Sequence, residues 1–281
     1  MYRSAYIFVL LPAITLLSAC SSIDPATQIP SYIHIDKINL NTTYSTEGTS
    51  SAKITDAWVY VGDQYIGTFE LPATVPVLKE GLNNVSIGAG IKINGISANR
   101  GAYAFYAPFM QNQTLIRGEK INLTPTVNYL TGLTFSWKED FETIGISMIK
   151  GTGSDTVIQK AGLPDAFEGS SCGAVYLPGN YFEGVSSSSF VLPNNGDDVF
   201  LELNYKTNNA FTVGIYASSS SVPIPALTIK PSAQWNKIYV NLSTITQLVP
   251  STSYAVFFSM NRDAAISQAE LYLDNIKLIH R

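Results

Sequence analysis

The chain has 281 residues, with 17 Lys and Arg against 21 Asp and Glu, a formal net charge of −4 and a charged fraction of only 14%. An ordinary globular domain carries about 25% charged residues, and no cluster of Lys and Arg marks a nucleic-acid footprint. With 2 His and 2 Cys, the chain is short of material for a Cys/His metal cage, a histidine-based triad or a disulfide framework.

The N-terminal stretch MYRSAYIFVLLPAITLLSAC has one cation, Arg3, followed by an uncharged and mostly apolar run from Tyr6 to Leu17. That run is too short for a bilayer core, which takes about 20 apolar residues. It predicts a cleaved secretory signal over residues 1–19. Leu17-Ser18-Ala19-Cys20 resembles the bacterial lipobox. The resemblance implies cleavage before Cys20, a lipid on its sulfur and an acylated N-terminus, so that the membrane is a partner through a lipid anchor. Two or more acyl chains anchor stably where one is marginal. Ser21, in place of an aspartate, favours the outer membrane within that pattern, with the cell surface as the expected location. With Cys20 lipidated, Cys172 has no partner, and its small-residue setting reads as a buried structural thiol.

Residues 20–31 carry two prolines and no periodicity, which predicts a tether. Residues 32–131 then show strand-like alternation. Trp58-Val59-Tyr60-Val61, the turn pair Gly62-Asp63 and the run Tyr65 to Phe69 predict a hairpin. The stretch from Trp58 to Ile87 resembles small immunoglobulin-like or PEGA-like surface modules. Tyr103 and Phe105, two apart, share one face of a strand, and they read as core with a packed edge.

Residues 132–281 are punctuated by Gly- and Ser-rich turns. Strands are expected at Gly173–Leu177, Val199–Tyr205, Phe211–Ala217, Trp235–Leu242, Tyr254–Met260 and Leu271–Ile279, a spacing that suggests a sandwich rather than a parallel α/β sheet. Only Asp263–Glu270 offers a turn or two of helix. The fold expectation is therefore all-β, with two β-sandwich domains. Trp137 to Glu142, Gln234 to Leu242 and Ala269 to Leu278 together resemble the carbohydrate-binding-module jelly roll, a galactose-binding-like sandwich.

That resemblance implies a structural calcium held by Glu142 and Asp274 with Asp140 as a third ligand; no other cofactor is required. The residues alone also allow Asp274 to be the polar step of a closing strand, turned to water. Sugar recognition would draw on Tyr176, Asn180, Tyr181, Phe182 and Glu183 in the loop-like "YLPGNYFEG", since function concentrates in loops. Trp235 reads instead as packing at a strand start, and Asp155-Thr156-Val157 resembles a short O-glycosylation motif of envelope proteins. No nucleophile elbow, zinc-protease motif or phosphate loop occurs, so no enzymatic activity is expected. The sequence reads as an anchored, non-catalytic lipoprotein that binds or presents a polysaccharide. The alternative is a structural or assembly subunit of an envelope protein complex, docking through Tyr103–Phe109 and exposed strand edges.

Overall fold

The computed structural model describes residues 29–220 and 222–281. The expected signal segment 1–19, Cys20 and most of the tether lie outside the described residues. Among the described residues no helix is long and apolar enough to cross a membrane. The chain is all-β, and its strands pack around two large apolar cores.

Strands β1 (Ser31–Ile35), β2 (Asn39–Asn41), β3 (Asp56–Val61), β4 (Gln64–Glu70) and β5 (Ala73–Val77) open the first module, with a one-turn helix α1 (Tyr44–Glu47) after β2. It continues with β6 (Gly81–Lys92), β7 (Arg100–Ala102), β8 (Phe109–Leu115), β9 (Lys120–Leu123) and β10 (Thr126–Asn128). One sheet runs β4-β3-β6-β7 with β8 also on β6; a second runs β5-β1-β9, and β10 pairs with β2. The β3–β4 hairpin turns at Gly62-Asp63, where Gly62 at φ 59° takes the left-handed first position that a tight hairpin asks for. Alternation then decides the faces. Ala57, Val59 and Val61 point into the core while Trp58 and Tyr60 point away. Each buried Val or Ile contributes about 1.5–3 kcal/mol of apolar transfer.

The second module begins with β11 (Thr134–Glu139), β12 (Met148–Lys150), β13 (Gln159–Gly162), β14 (Ser171–Leu177) and β15 (Tyr181–Ser186). It closes with β16 (Val199–Thr207), β17 (Phe211–Ala217), β18 (Ile224–Ile229), β19 (Ser232–Asn241), helix α2 (Ser243–Leu248), β20 (Tyr254–Asn261) and β21 (Ala269–His280). A six-stranded sheet, β13-β14-β21-β16-β19 with β11 also on β21, faces a five-stranded sheet, β12-β15-β20-β17-β18. Their inner faces enclose a jelly-roll core that includes Trp137, Phe182, Phe211, Phe258 and Leu273. Asp263–Glu270 is not helical; the helical turns fall at α1 and α2 instead. Ala269 and Glu270 already belong to the closing strand, whose ladder outweighs a short helix that nothing would nucleate.

The long strand β21 is the spine of the larger sheet. It pairs with β14 and β11 along one side and with β16 along the other. Asn275, at φ 50°, forms a bulge where the register slips between Glu202 and Asn204. The extra residue lets Leu271, Leu273, Ile276 and Leu278 all reach the core, although strict alternation would turn the last two out.

The two cores meet. Phe200, Tyr239 and Ile279, on the outer face of the six-stranded sheet, pack into the first module's core beside Tyr103, Phe105, Tyr106 and Tyr129. The Tyr103 ring lies 5.1 Å from Phe200 and 5.0 Å from Tyr239, centroid to centroid. Tyr103, Phe105 and Tyr106 are thus the seam between modules and are closed to any outside partner, which removes them as the docking segment of an assembly subunit.

Candidate functional site

The segment expected to be one recognition loop is divided between the two sheets. Tyr176 lies in β14 of the six-stranded sheet, Pro178-Gly179-Asn180 crosses the edge, and Tyr181 opens β15 of the other sheet. Tyr176 and Tyr181 therefore belong to different faces. Phe182 is fully buried core, so it is not available to a ligand. Along β15 the small residues Gly184 and Ser186 take the inward positions. Gly184 has to be small, because an added Cβ would lie 2.9 Å from the Phe182 ring and 3.0 Å from Met148. This inverts the usual apolar-in pattern, so the strand reads as a loop.

Tyr181 and Glu183 share the outer face of the five-stranded sheet. Pairing sets Glu183 opposite Ser259, Ser259 opposite Thr212 and Thr212 opposite Thr228, a polar row across four strands. Tyr181 Oη donates to Glu183 Oε2 at 2.7 Å, and Tyr216 Oη reaches the same carboxylate at 3.0 and 3.1 Å. Burial, with Glu183 beside it, pushes the Tyr216 phenol up to about 12 and Tyr181 higher still, so both remain neutral donors. Gly151 packs directly on the carboxylate, where a side chain would collide with it. Ser154 Oγ accepts the Glu183 N–H at 2.9 Å. Asp155 accepts the N–H groups of Asn180 and Tyr181 at 2.6 and 2.9 Å, and these bonds hold its carboxyl below the usual range. The Tyr216 ring leans on Phe257, 5.3 Å between centroids.

The result is an open sheet face with two half-exposed phenol rings beside a row of hydroxyls, the rings tied to one buried carboxylate. Of the expected sugar-contacting residues, Tyr181 and Glu183 are brought together here and Asn180 flanks them, exposed. Tyr216, Ser259 and Thr212 complete the face but escaped sequence reasoning. An outward Tyr in the alternating run "FTVGIYA" was the one available signal.

Tyr176 joins a second surface, at the free end of the six-stranded sheet. Its ring meets Tyr272 edge-on at 6.0 Å, and Lys206 Nζ lies 4.2 Å from the Tyr272 centroid and 3.2 Å from Asp165. A cleft of about 440 Å³ opens there between Lys206, Asn208, Glu270 and Tyr272. Trp235 donates its indole N–H to the Asp165 carbonyl at 3.2 Å. Cys172 is buried beneath this surface, and burial pushes its thiol up to about 12, which suits a structural residue and not a nucleophile.

The carboxylates expected to share calcium do not line one cleft. Asp140 and Glu142 border a cavity of about 290 Å³ with Tyr44, Glu168 and Asn275. Tyr44 donates to Asp140, and Glu142 accepts the N–H groups of Ser170 and Ser171 at 2.8 and 2.9 Å. Asp274 is 1% exposed, so it is not a strand step turned to water. It accepts N–H groups from Phe167 and Glu168 at 3.2 and 3.3 Å and from Asn275 at 2.7 Å. Among the described residues no three His, Cys, Asp or Glu side chains converge as a metal cage.

Neither a family model nor a curated protein matches the sequence. Solved structures resemble it in part. A family 29 carbohydrate-binding module aligns with a TM-score of 0.34 and 11% identity, over 54% of this chain and 92% of its own. The family 11 carbohydrate-binding module of a Clostridium thermocellum cellulosomal cellulase gives 0.38 and 15%, over 54% and 96%. The K3 adhesin domain of Lys-gingipain from Porphyromonas gingivalis gives 0.38 and 16%, over 53% and 99%. Likenesses this slight say nothing of a ligand.

Proposed function

We propose that this chain is a non-catalytic glycan-binding protein whose recognition surface is the outer face of the five-stranded sheet. The observation that carries the reading is the Tyr181–Glu183–Tyr216 cluster beside the Ser259–Thr212–Thr228 row. A pyranose presents an apolar face of C–H groups and an equatorial rim of hydroxyls. Phenol rings match the first and the row of hydroxyls matches the second, while the buried Glu183 carboxylate holds the two phenols in place. Glu183 is suited to positioning rather than catalysis, because its oxygens are already engaged by two tyrosine hydroxyls. The expected signal segment and Cys20 make the protein, in this reading, a lipid-anchored envelope protein that displays the sheet face to polysaccharide.

Calorimetric titration against a panel of neutral and acidic polysaccharides tests the binding. A selective ligand is expected, with affinity falling roughly tenfold for Y181A and again for Y216A, since each ring supplies stacking on the order of 1 kcal/mol in addition to buried area. Y181F and Y216F keep the rings and lose only the hydroxyls, so they should retain most of the affinity. Unchanged affinity in both alanine variants, with melting temperatures preserved, would remove this face as the site.

A further inference from the structure

The first module gathers exposed aliphatic side chains at one end, the end where the tether enters. Ile29 and Pro30 lead into β1, and their backbone is held between two turns. Ser31 Oγ reaches the Val77 and Lys79 carbonyls at 3.1 and 3.3 Å, and the Gly118 N–H donates to the Pro30 carbonyl at 2.9 Å. The β5–β6 turn carries Leu78, the β8–β9 turn carries Ile116, and Leu82 follows at the start of β6. Ile29, Leu78, Leu82 and Ile116 are 53%, 64%, 72% and 50% exposed. Single apolar side chains at a surface are ordinary, but several around one chain entry form a patch.

Charged groups beside these tips are turned to partners of their own. Arg117 pairs with Glu80 at 2.7 Å, and Lys79 Nζ donates back to the Val61 carbonyl at 2.7 Å. This end also points away from the second module. Strand β6 runs from Gly81, beside the patch, to Lys92, and the next residue, Ile93, bridges to Tyr239 of β19. At about 3.3 Å per residue, its 12 residues span roughly 40 Å. From Cys20 to Ile29 the chain reaches at most about 30 Å when fully extended. A lipid on Cys20 therefore keeps this end close to the bilayer, whatever course the tether takes.

We infer that the patch of Ile29, Leu78, Leu82 and Ile116 seats the first module on the bilayer surface, with its aliphatic tips in the headgroup–acyl boundary. The inference rests on the reading that Cys20 carries a lipid. Apolar area drives interfacial contact of this kind, and the tether supplies the local concentration that so small a patch lacks by itself. Contact at the Gly81 end of β6 points the second module, with its Tyr181 face, outward. With Arg117 and Glu80 paired, the contact needs no anionic lipid.

Tryptophan quenching on vesicles tests it. The chain from Cys20 onward is coupled through that thiol to phosphatidylcholine vesicles carrying a maleimide lipid and brominated acyl chains. Cys172 is buried, with its thiol pushed up to about 12, so it does not compete. Coupling stands in for the natural lipid, so the result holds whether or not a cell supplies one. In I116W the emission added by the new indole should be largely lost to the bromines. L248W, on exposed α2 of the second module, should keep its emission. L78D/L82D/I116W should regain it, because carboxylates resist entry into the acyl boundary. The inference fails if I116W keeps its emission on the coupled vesicles, or if L78D/L82D leaves the quenching unchanged. It fails too if the uncoupled chain is a dimer that L78D/L82D returns to monomer, since the patch then belongs to a second copy. The anchor is tested apart: a labelled fatty acid should enter the full chain and be absent from C20A. Failure there removes the lipid, while the vesicle result still decides the patch.

Discussion

Asp274 combines burial with a carboxyl group raised to about 7, the penalty of desolvation exceeding the help of three N–H donors. Because its folded pKa lies above the unfolded value near 3.9, the folded state holds the extra proton, and stability falls as pH rises from about 4 to 7. D274N removes the titration while keeping the shape. It should be nearly neutral at pH 4 and more stable than the unaltered chain at pH 8, by on the order of 2–4 kcal/mol. Urea denaturation across that range checks the sign, and a constant difference would place the proton elsewhere. Glu183 is a buried acid held by side-chain hydroxyls. Two phenols donate to its carboxylate, and the Gly151 N–H donates to its main-chain carbonyl, so E183Q should melt close to the unaltered chain and lose ligand affinity.

Strands β15 and β17 show how an element sets a site. Each sends a tyrosine outward only because its inward neighbours are fixed by the core, and in β17 that places Val213 and Ile215 inside and Tyr216 outside. Gly214 permits the arrangement. A methyl group there would collide with the Ile224 carbonyl of β18 and with the Phe257 ring that Tyr216 leans on. Since backbone cannot give way as a side-chain tip can, G214A should cost about 1–3 kcal/mol and weaken glycan binding as β18 shifts. A urea midpoint unchanged in G214A would mean that the edge strand is looser than drawn. The hairpin at Gly62-Asp63 and the alternation of β17, β20 and β21 were legible because aromatic and β-branched residues alternate there. Strand β15 was not, because Gly184 and Ser186 occupy inward positions that apolar residues usually mark.

At the scale of the molecule the two modules share one interior. Phe200, Tyr239 and Ile279 belong to the second sandwich by sequence and to the first by packing, and Glu202 is bonded from across the seam. Separating the modules would expose those rings, strip Glu202 of its two tyrosine donors and take the Thr49 carbonyl from Lys277. The chain is therefore expected to unfold in one cooperative step, with equal calorimetric and van't Hoff enthalpies. F105A should lower that single transition by about 3–5 kcal/mol rather than split it. Two resolved transitions would show that the seam contributes little.

Local chemistry determined the all-β class. Period-two alternation, Gly-rich turns and the lack of helical stretches act over a few residues, and all of them are written in sequence order. The tertiary structure alone decided which faces exist. Tyr181 and Tyr216 meet on one carboxylate because β15, β20 and β17 lie side by side, and Lys53 meets Asn236 because two sandwiches pack sheet to core. The segment at 167–168, likewise, covers Asp274, whose carboxylate accepts the N–H groups of both residues. Such meetings depend on strand order and register, which arise from pairings between distant segments and leave no periodic trace in either partner.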